Sequence, residues 1–569
     1  MPANDDPSQQ YPPDQDPDRT MSYRPSTNRR PQYGQQNEPQ YGQQYGQQPY
    51  GQQPYGQPTR QYGQTYGQGG GYQEQQSWSQ GTETLGGPPA QPRAPKRRRG
   101  WVLAIVAAVI VALIGGGGVF AINLLSGGGT QPQDVLPANA IGYLRLDLDP
   151  AANQKVALFD ITRKFTATKG IFSGDDPRKA FFDLLKKNDT GLSEIDYARD
   201  IEPWLGRRIG VAVLPPKQGS ADPQIVAAIQ VTDQDAARQG IAKLDSANGG
   251  EKSGLAFRED YALLSETQDV ADKAASGEVL ATNTNFSADL AALGEQGVLS
   301  FWADIAQIAK LSATTDSRMV KQLGNARLVG ALRFDTDYAE LAGIVRGTTM
   351  LNATDPEAAQ LSSLPASTVG ALSISGLGEI VNKQWADLMK SVTASSQGQT
   401  FQQQLRAVER STGLKLPQDL VTLLGKNVTI ALDEKGMNQN LPNIGARFAT
   451  DPAKARAIIG KLEQTMSSSG IRLGEVAGDD RFTLATTQDY ANLLAKDGTL
   501  GDNETFQKAV PNADDATFAL YFNLNKLEKL YLNTLQGDDR ANLKQLSAVG
   551  LSGTQSGDQA NFSVRVLFD

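Results

Sequence analysis

The 569-residue chain contains no cysteine and no histidine. That excludes disulfides, thiolate and imidazole metal ligands, cysteine nucleophiles and Ser-His-Asp triads. The formal charge of −8 averages unlike parts: residues 1–100 carry 10 basic and 8 acidic groups, the remainder 44 and 54. An acidic body argues against nucleic acid as a partner, because phosphate binding depends on clustered Lys and Arg.

Residues 1–95 hold 22 glutamines and 10 of the 17 tyrosines, with Tyr-Gly-Gln recurring from Tyr33, Tyr41, Tyr45, Tyr50, Tyr55, Tyr62 and Tyr66. No Leu, Ile, Val or Phe precedes Leu85, so this stretch lacks the apolar surface that would offset its ordering entropy. It reads as a disordered tail, either an inert spacer or a set of weak multivalent contacts.

Lys96, Arg97, Arg98 and Arg99 open a juxtamembrane segment, 96–100, and Trp101–Leu125 follows as 25 residues without a charge. At ~1.5 Å per residue that run spans about 37 Å as a helix, enough to cross a bilayer. A signal peptide would have a shorter apolar region nearer the N-terminus. The cations flank only the N-terminal side, so the positive-inside rule places the tail in the cytoplasm and the bulk of the chain outside the plasma membrane. The same four cations suit anionic lipid headgroups. Ala104, Ala108, Ala112 and Gly116 recur at four-residue spacing, a face on which two membrane helices could form a homodimer, although alanine-rich spans produce such spacing by chance.

Beyond the apolar run the sequence repeats itself. Leu136-Pro137-Ala138 returns as Leu364-Pro365-Ala366, and Asp200 to Gly206 as Asp419 to Gly425. Thr232-Asp233, Ala237-Arg238, Ile241 and Lys243-Leu244 match Thr450-Asp451, Ala455-Arg456, Ile459 and Lys461-Leu462. Thr267-Gln268-Asp269 matches Thr487-Gln488-Asp489, Phe286 matches Phe506, and Gly206 to Leu311 spans the same 105 positions as Gly425 to Leu530. The region is a tandem duplication, 134–350 and 364–569, with 351–363 as a linker.

Within the first copy, 209–214 and 224–231 read as paired strands. A helix follows over 234–247 behind the Thr232-Asp233 cap, then a strand at 261–265 and a helix opening at 267–269. The second copy repeats the order with strands at 428–432, 444–448 and 482–485 and helices opening at Pro452 and Gln488. Interleaved hairpins and helices predict an α+β fold with a mainly antiparallel sheet. Each copy is large enough for its own core.

The apolar segment followed by LPANAIGYLRLDLDPAANQK and WLGRRIGVAVL resembles domain-of-unknown-function family 3352 over most of 130–569. The resemblance implies an actinobacterial, single-pass membrane protein and brings no reaction with it. The second copy departs from the opening motif, with Ser373-Ile374-Ser375 where the first has Arg145-Leu146-Asp147.

Candidate chemistry is sparse, and the reading assigns no catalytic residue, metal or cofactor. Asp147 and Asp149 share one face of a strand and are the outside candidates for a cation or an acid/base pair, and a polar strand end turning at Pro150 is the favoured account of them. No serine stands three residues before a lysine, which removes the S-x-x-K hydrolases. Trp204 and Trp302 align with Leu423 and Tyr521 and read as core positions. Three classes remain: a non-catalytic envelope protein that binds or scaffolds a protein or lipid, a carrier or sensor of an apolar, lipid-like ligand, and a carboxylate hydrolase of envelope polymers.

Overall fold

Among the described residues, alternating apolar side chains build sixteen strands, and these pair into one antiparallel sheet. The computed structural model describes residues 129–148, 152–166, 176–188, 190–311, 317–348, 356–393, 398–437, 442–466 and 472–569. The tail, the basic segment and the apolar run 101–125 lie outside these residues. Among those described, no helix is long and apolar enough to cross a membrane.

The first copy runs β1 (Gly142–Asp147), α1 (Ala152–Lys164), α2 (Pro177–Asn188), β2 (Leu205–Leu214), β3 (Gln224–Val231), α3 (Gln234–Ala247), β4 (Gly254–Arg258) and β5 (Tyr261–Ser265). It continues with α4 (Gln268–Ser276), α5 (Thr284–Leu293), β6 (Leu299–Asp304), α6 (Ile305–Leu311), α7 (Ser317–Leu323), β7 (Arg327–Phe334) and β8 (Tyr338–Arg346). The second runs β9 (Thr368–Ser375), α8 (Leu377–Thr393), α9 (Gly398–Thr412), α10 (Gln418–Leu424), β10 (Asn427–Asp433), β11 (Ile444–Ala449), α11 (Pro452–Met466), β12 (Gly474–Ala477) and β13 (Arg481–Ala485). It closes with α12 (Gln488–Leu494), α13 (Glu504–Ala509), β14 (Phe518–Asn523), α14 (Leu524–Tyr531), α15 (Gly537–Leu543), β15 (Leu546–Ser556) and β16 (Gln559–Phe568). The order of elements is the same in both, except that a π turn at Tyr197–Ile201 stands where the second copy has α10.

The strand order across the sheet is β12-β13-β11-β10-β9-β14-β15-β16-β8-β7-β6-β1-β2-β3-β5-β4. Outward from the β8–β16 seam, both halves follow one sequence, so the copies are related by an approximate two-fold axis at the seam. Local contacts obey the same relation. Asp233 caps α3 by accepting from the backbone N–H of Asp235 and Ala236, and Asp451 caps α11 through Ala453 and Lys454. Asn283 and Asn503 accept from the N–H of Phe286 and Phe506. Gly206 and Gly425 face the carbonyls of Gln230 and Ala449, where a Cβ would collide.

One feature goes beyond the sequence reading and one differs from it. The copies share one sheet, because β8 and β16 each have a free ladder edge that the other satisfies. The second half of the segment read as a linker is core: Ala359 and Leu361 are buried, and the Ala359 N–H donates to the Ala516 carbonyl at 2.6 Å.

The outer edges, β4 and β12, would expose unpaired backbone, the usual route to edge-to-edge association. Each is closed by a glutamine amide. Gln268 donates to the Leu255 carbonyl (2.8 Å) and accepts from the Leu255 N–H (3.0 Å). Gln488 does the same to Glu475 at 3.1 and 3.2 Å. Replacing both by alanine should raise concentration-dependent association in light scattering while leaving far-UV circular dichroism unchanged.

At the seam, Glu340 of β8 accepts from the Ser563 hydroxyl (2.7 Å) and Arg565 Nε (2.9 Å) of β16, with Arg333 of β7 at 3.5 Å. Burial opposes ionisation, but the Ser563 hydrogen bond and the two guanidinium charges outweigh it and hold the carboxyl below its ordinary 4.5. A depressed folded-state pKa contributes stability that is present above the unfolded value and lost as pH falls through the folded one. Glu340→Ala should therefore lower stability by about 3 kcal/mol at pH 7 in urea melts. Glu340→Gln should flatten the acid-side loss of stability below about pH 4.5.

Candidate functional site

Residue alternation on β1 sends Tyr143, Arg145 and Asp147 to one side of the sheet and Leu144 and Leu146 to the other. Asp147 is buried, accepts from Arg145 Nη2 at 2.8 Å and faces Arg208 Nε at 3.6 Å. Arg145 also donates to the Gly297 carbonyl and Arg208 to that of Thr130, so the cluster ties the entry segment to the sheet. Tyr261 donates to the same Thr130 carbonyl (2.9 Å) and Tyr143 to Gln133 Oε1 (2.8 Å); burial raises both phenols. A carboxylate neutralised by two guanidinium groups and closed off from solvent is a structural ion cluster. Asp149 lies outside the described residues, as do Lys96, Arg97, Arg98, Arg99, Ala104, Ala108, Ala112 and Gly116.

Trp204 and Trp302 are 3% and 2% exposed. The Trp204 indole donates to the Asp200 carbonyl (2.7 Å), and that of Trp302 to Asp289 (2.9 Å), which also holds Arg327 and Arg346. Phe286 meets Trp302 edge-on at 5.6 Å, as Phe506 meets Tyr521 at 5.1 Å. Both tryptophans belong to the core. The repeated acidic position is structural too. Lys243 reaches Asp200 at 2.7 Å and Lys461 reaches Asp419 at 2.8 Å. Arg199 first, then Lys243, holds Asp200 below the usual carboxylate range against the effect of burial. For Asp419, burial is likewise outweighed by Lys461 and the Lys415 N–H, and the net shift is downward.

The described residues include two open clefts of note. One, of about 560 Å³, has Asp502, Asp514 and Asp515 on its rim; the other, of about 580 Å³, lies beside Lys217, Asp269 and Lys273. No group of three acidic residues among those described is placed to hold a metal ion.

The feature that residue-by-residue reading missed is an apolar sheet face. A row of directly opposed side chains runs Ala446, Ile430, Leu372, Leu520, Leu551, Val564, Leu341, Leu332, Leu299, Leu146 and Ile209, crossing eleven strands without a polar group. In the first copy this face is sealed. Phe181, Phe182, Leu185, Ile195, Tyr197 and Ile201, all from the segment between β1 and β2, bury Leu146, Ile209 and Val211. In the second copy the cover is missing: Ile430 is 44% exposed where its counterpart Val211 is 2% exposed, and Leu372, Phe522 and Ile444 are exposed beside it.

The segment equivalent to the cover folds as α8 and α9, two amphipathic helices that pack on each other and on α10 and α11. Leu388, Phe401 and Val408 on them are exposed. Among the described residues, Ala455, Ile459 and Phe482 form the buried cluster here, with Leu423, Phe448, Leu462 and Leu484 packed against it. The sequence carries the signal as a difference between copies: Phe-Phe and Leu-Leu pairs in 177–188 against the glutamine-rich 398–412.

The model of a protein family described as "Protein of unknown function (DUF3352)" matches residues 103–262 and 249–519. Curated proteins and solved structures give no match. The first matched stretch begins inside the apolar run, and of the open face the two together take in Leu372, Ile430 and Ile444 but end before Leu520 and Phe522.

Asp147→Ala should leave the buried Arg145 and Arg208 guanidinium groups without their carboxylate and lower stability by about 3–5 kcal/mol. Added calcium should not change the melting temperature of the unsubstituted protein. A calcium-dependent rise of several degrees would return Asp147 to the list of ligands.

Proposed function

Since the chain belongs to the family described as "Protein of unknown function (DUF3352)", whose description assigns no activity, we propose from the molecule itself a plasma-membrane-anchored, non-catalytic binding protein of the cell envelope. Its tail is cytoplasmic, Trp101–Leu125 spans the bilayer once, and the duplicated sheet is extracytoplasmic. Lys96, Arg97, Arg98 and Arg99 sit at the inner surface against anionic headgroups. The face formed by Ala104, Ala108, Ala112 and Gly116 is where a second copy would pack in the bilayer.

The observation that carries this reading is the placement of four cations on one flank only of a 25-residue uncharged run. The start of the family match inside that run supports it, since the apolar segment then belongs to what the family shares. The binding role is supported by the way the most suggestive carboxylate, Asp147, is taken up in an internal ion cluster. Among the three classes, the open apolar face favours a lipid-like ligand over a polymer substrate.

The absence of native cysteine makes the topology directly measurable. A single cysteine at Ala221, exposed in the β2–β3 turn, should react with a membrane-impermeant maleimide on intact cells, and one at Ser26 only after lysis. The reverse pattern would invert the protein. The purified full chain should show no turnover of peptidoglycan, polysaccharide, ester or peptide substrates. Turnover lost in the double variant Asp147→Asn, Asp149→Asn while its circular dichroism and melting temperature stay unchanged would replace the binding reading with a hydrolase.

A further inference from the structure

We propose that the open apolar face of the second copy is the binding site for the acyl chain of an amphiphilic lipid, laid across β11, β10, β9 and β14 where the first copy places its own aromatic and aliphatic side chains. This rests on the envelope-binding reading and names its ligand class.

Three observations converge. The floor is built from Ile444, Ile430, Leu372 and Phe522, all exposed, with Leu520, Leu551 and Val564 half-buried beyond them. The exposed floor from β11 to β14 spans about 14 Å at roughly 4.8 Å between neighbouring strands, and the apolar row continues to β16 for about 24 Å in all, a length suited to an extended hydrocarbon chain. α8 and α9 are the second copy's equivalent of that cover in chain order, yet they pack on each other and on α10 and α11, and their apolar residues Leu388, Phe401 and Val408 are exposed. The homologous half shows the same surface filled, with Phe181, Phe182, Leu185, Ile195, Tyr197 and Ile201 in place. What the second copy lacks is therefore apolar volume between a floor and an adjacent helical pair.

The chemistry of the surface selects the occupant. Removing aliphatic and aromatic side chains from water is favourable, so an uncovered floor favours any apolar cover. The floor strands are interior to the sheet and their backbone groups are paired, so an added β-strand has nothing to bond. The row offers no hydrogen-bond donor or acceptor along its length, which suits a chain of methylenes and gives a sugar or peptide backbone no partner.

The test uses the full-length chain in the membranes of cells fed a palmitic acid analogue that carries a diazirine and enters their lipids. After photolysis, cross-linked peptides are mapped by mass spectrometry. Cross-links are expected at two places: the run 101–125, and the peptides carrying Leu372, Ile430 and Phe522. Leu372→Glu and Ile430→Glu, together or singly, should reduce the second set at least fivefold and leave the first unchanged. Both positions are already solvent-exposed, so a carboxylate there stays in water, and an unchanged melting temperature verifies folding. Leu311→Glu, at an equally exposed leucine of the first copy, should alter neither set. Cross-links confined to 101–125 would overturn the acyl site while keeping the anchor. Cross-links in the second copy that persist in both glutamate variants would also overturn it, as non-specific contact. Loss of the 101–125 set would overturn the anchor instead.

Discussion

The architecture depends on the pairing of β8 with β16. Nine residue pairs, from Arg346–Gln559 to Tyr338–Leu567, join two eight-stranded halves that would otherwise each end in an unpaired strand. Because both strands are the last of their copy, each half presents the same edge, and antiparallel pairing of like edges generates a two-fold relation without further instruction. Glu340, held by Ser563 and Arg565 across the seam, adds a directional contact that the approximate symmetry does not repeat: its counterpart in β16 is Asn561.

The seam also makes the apolar face continuous. Phe518 lies over Gly553, Phe562 over Gly343 and Phe301 over Gly330, and a Cβ at any of these glycines would strike the ring. Flat aromatic rings on glycine keep this side of the sheet low and apolar between the covered and uncovered halves. Duplication then permits asymmetry. One copy retains the cover that stabilises the sheet, which frees the other to leave its floor accessible. The Tyr143–Phe286–Trp302 stack and the Phe506–Tyr521 pair keep the opposite side of both halves filled, so opening one face does not dissolve the core.

Most of the local structure was readable from residue pattern. The strand at 261–265 and the helix at 234–247 have the observed bounds, because alternation, a capping aspartate and flanking turn residues act within a few positions of one another. The apolar counterparts of Trp204 and Trp302 point to core positions, and both side chains are buried. The role of Asp147 was not readable, since its partner Arg208 comes from a neighbouring strand 61 positions away. Leu372, Ile430 and Phe522 gave no warning either: an exposed leucine and a buried one look alike in a strand.

The sequence by itself determined the excluded chemistries, the α+β class, the family and the internal repeat. Composition, short-range periodicity and self-similarity are properties of the chain and need no contacts. Only the tertiary structure decided that sixteen strands form one sheet, that the segment before Leu364 belongs to a core, and that one of two homologous faces stands open. Those outcomes depend on which surfaces meet across hundreds of residues. Exposure is a property of what covers a side chain, and the cover is encoded elsewhere in the chain.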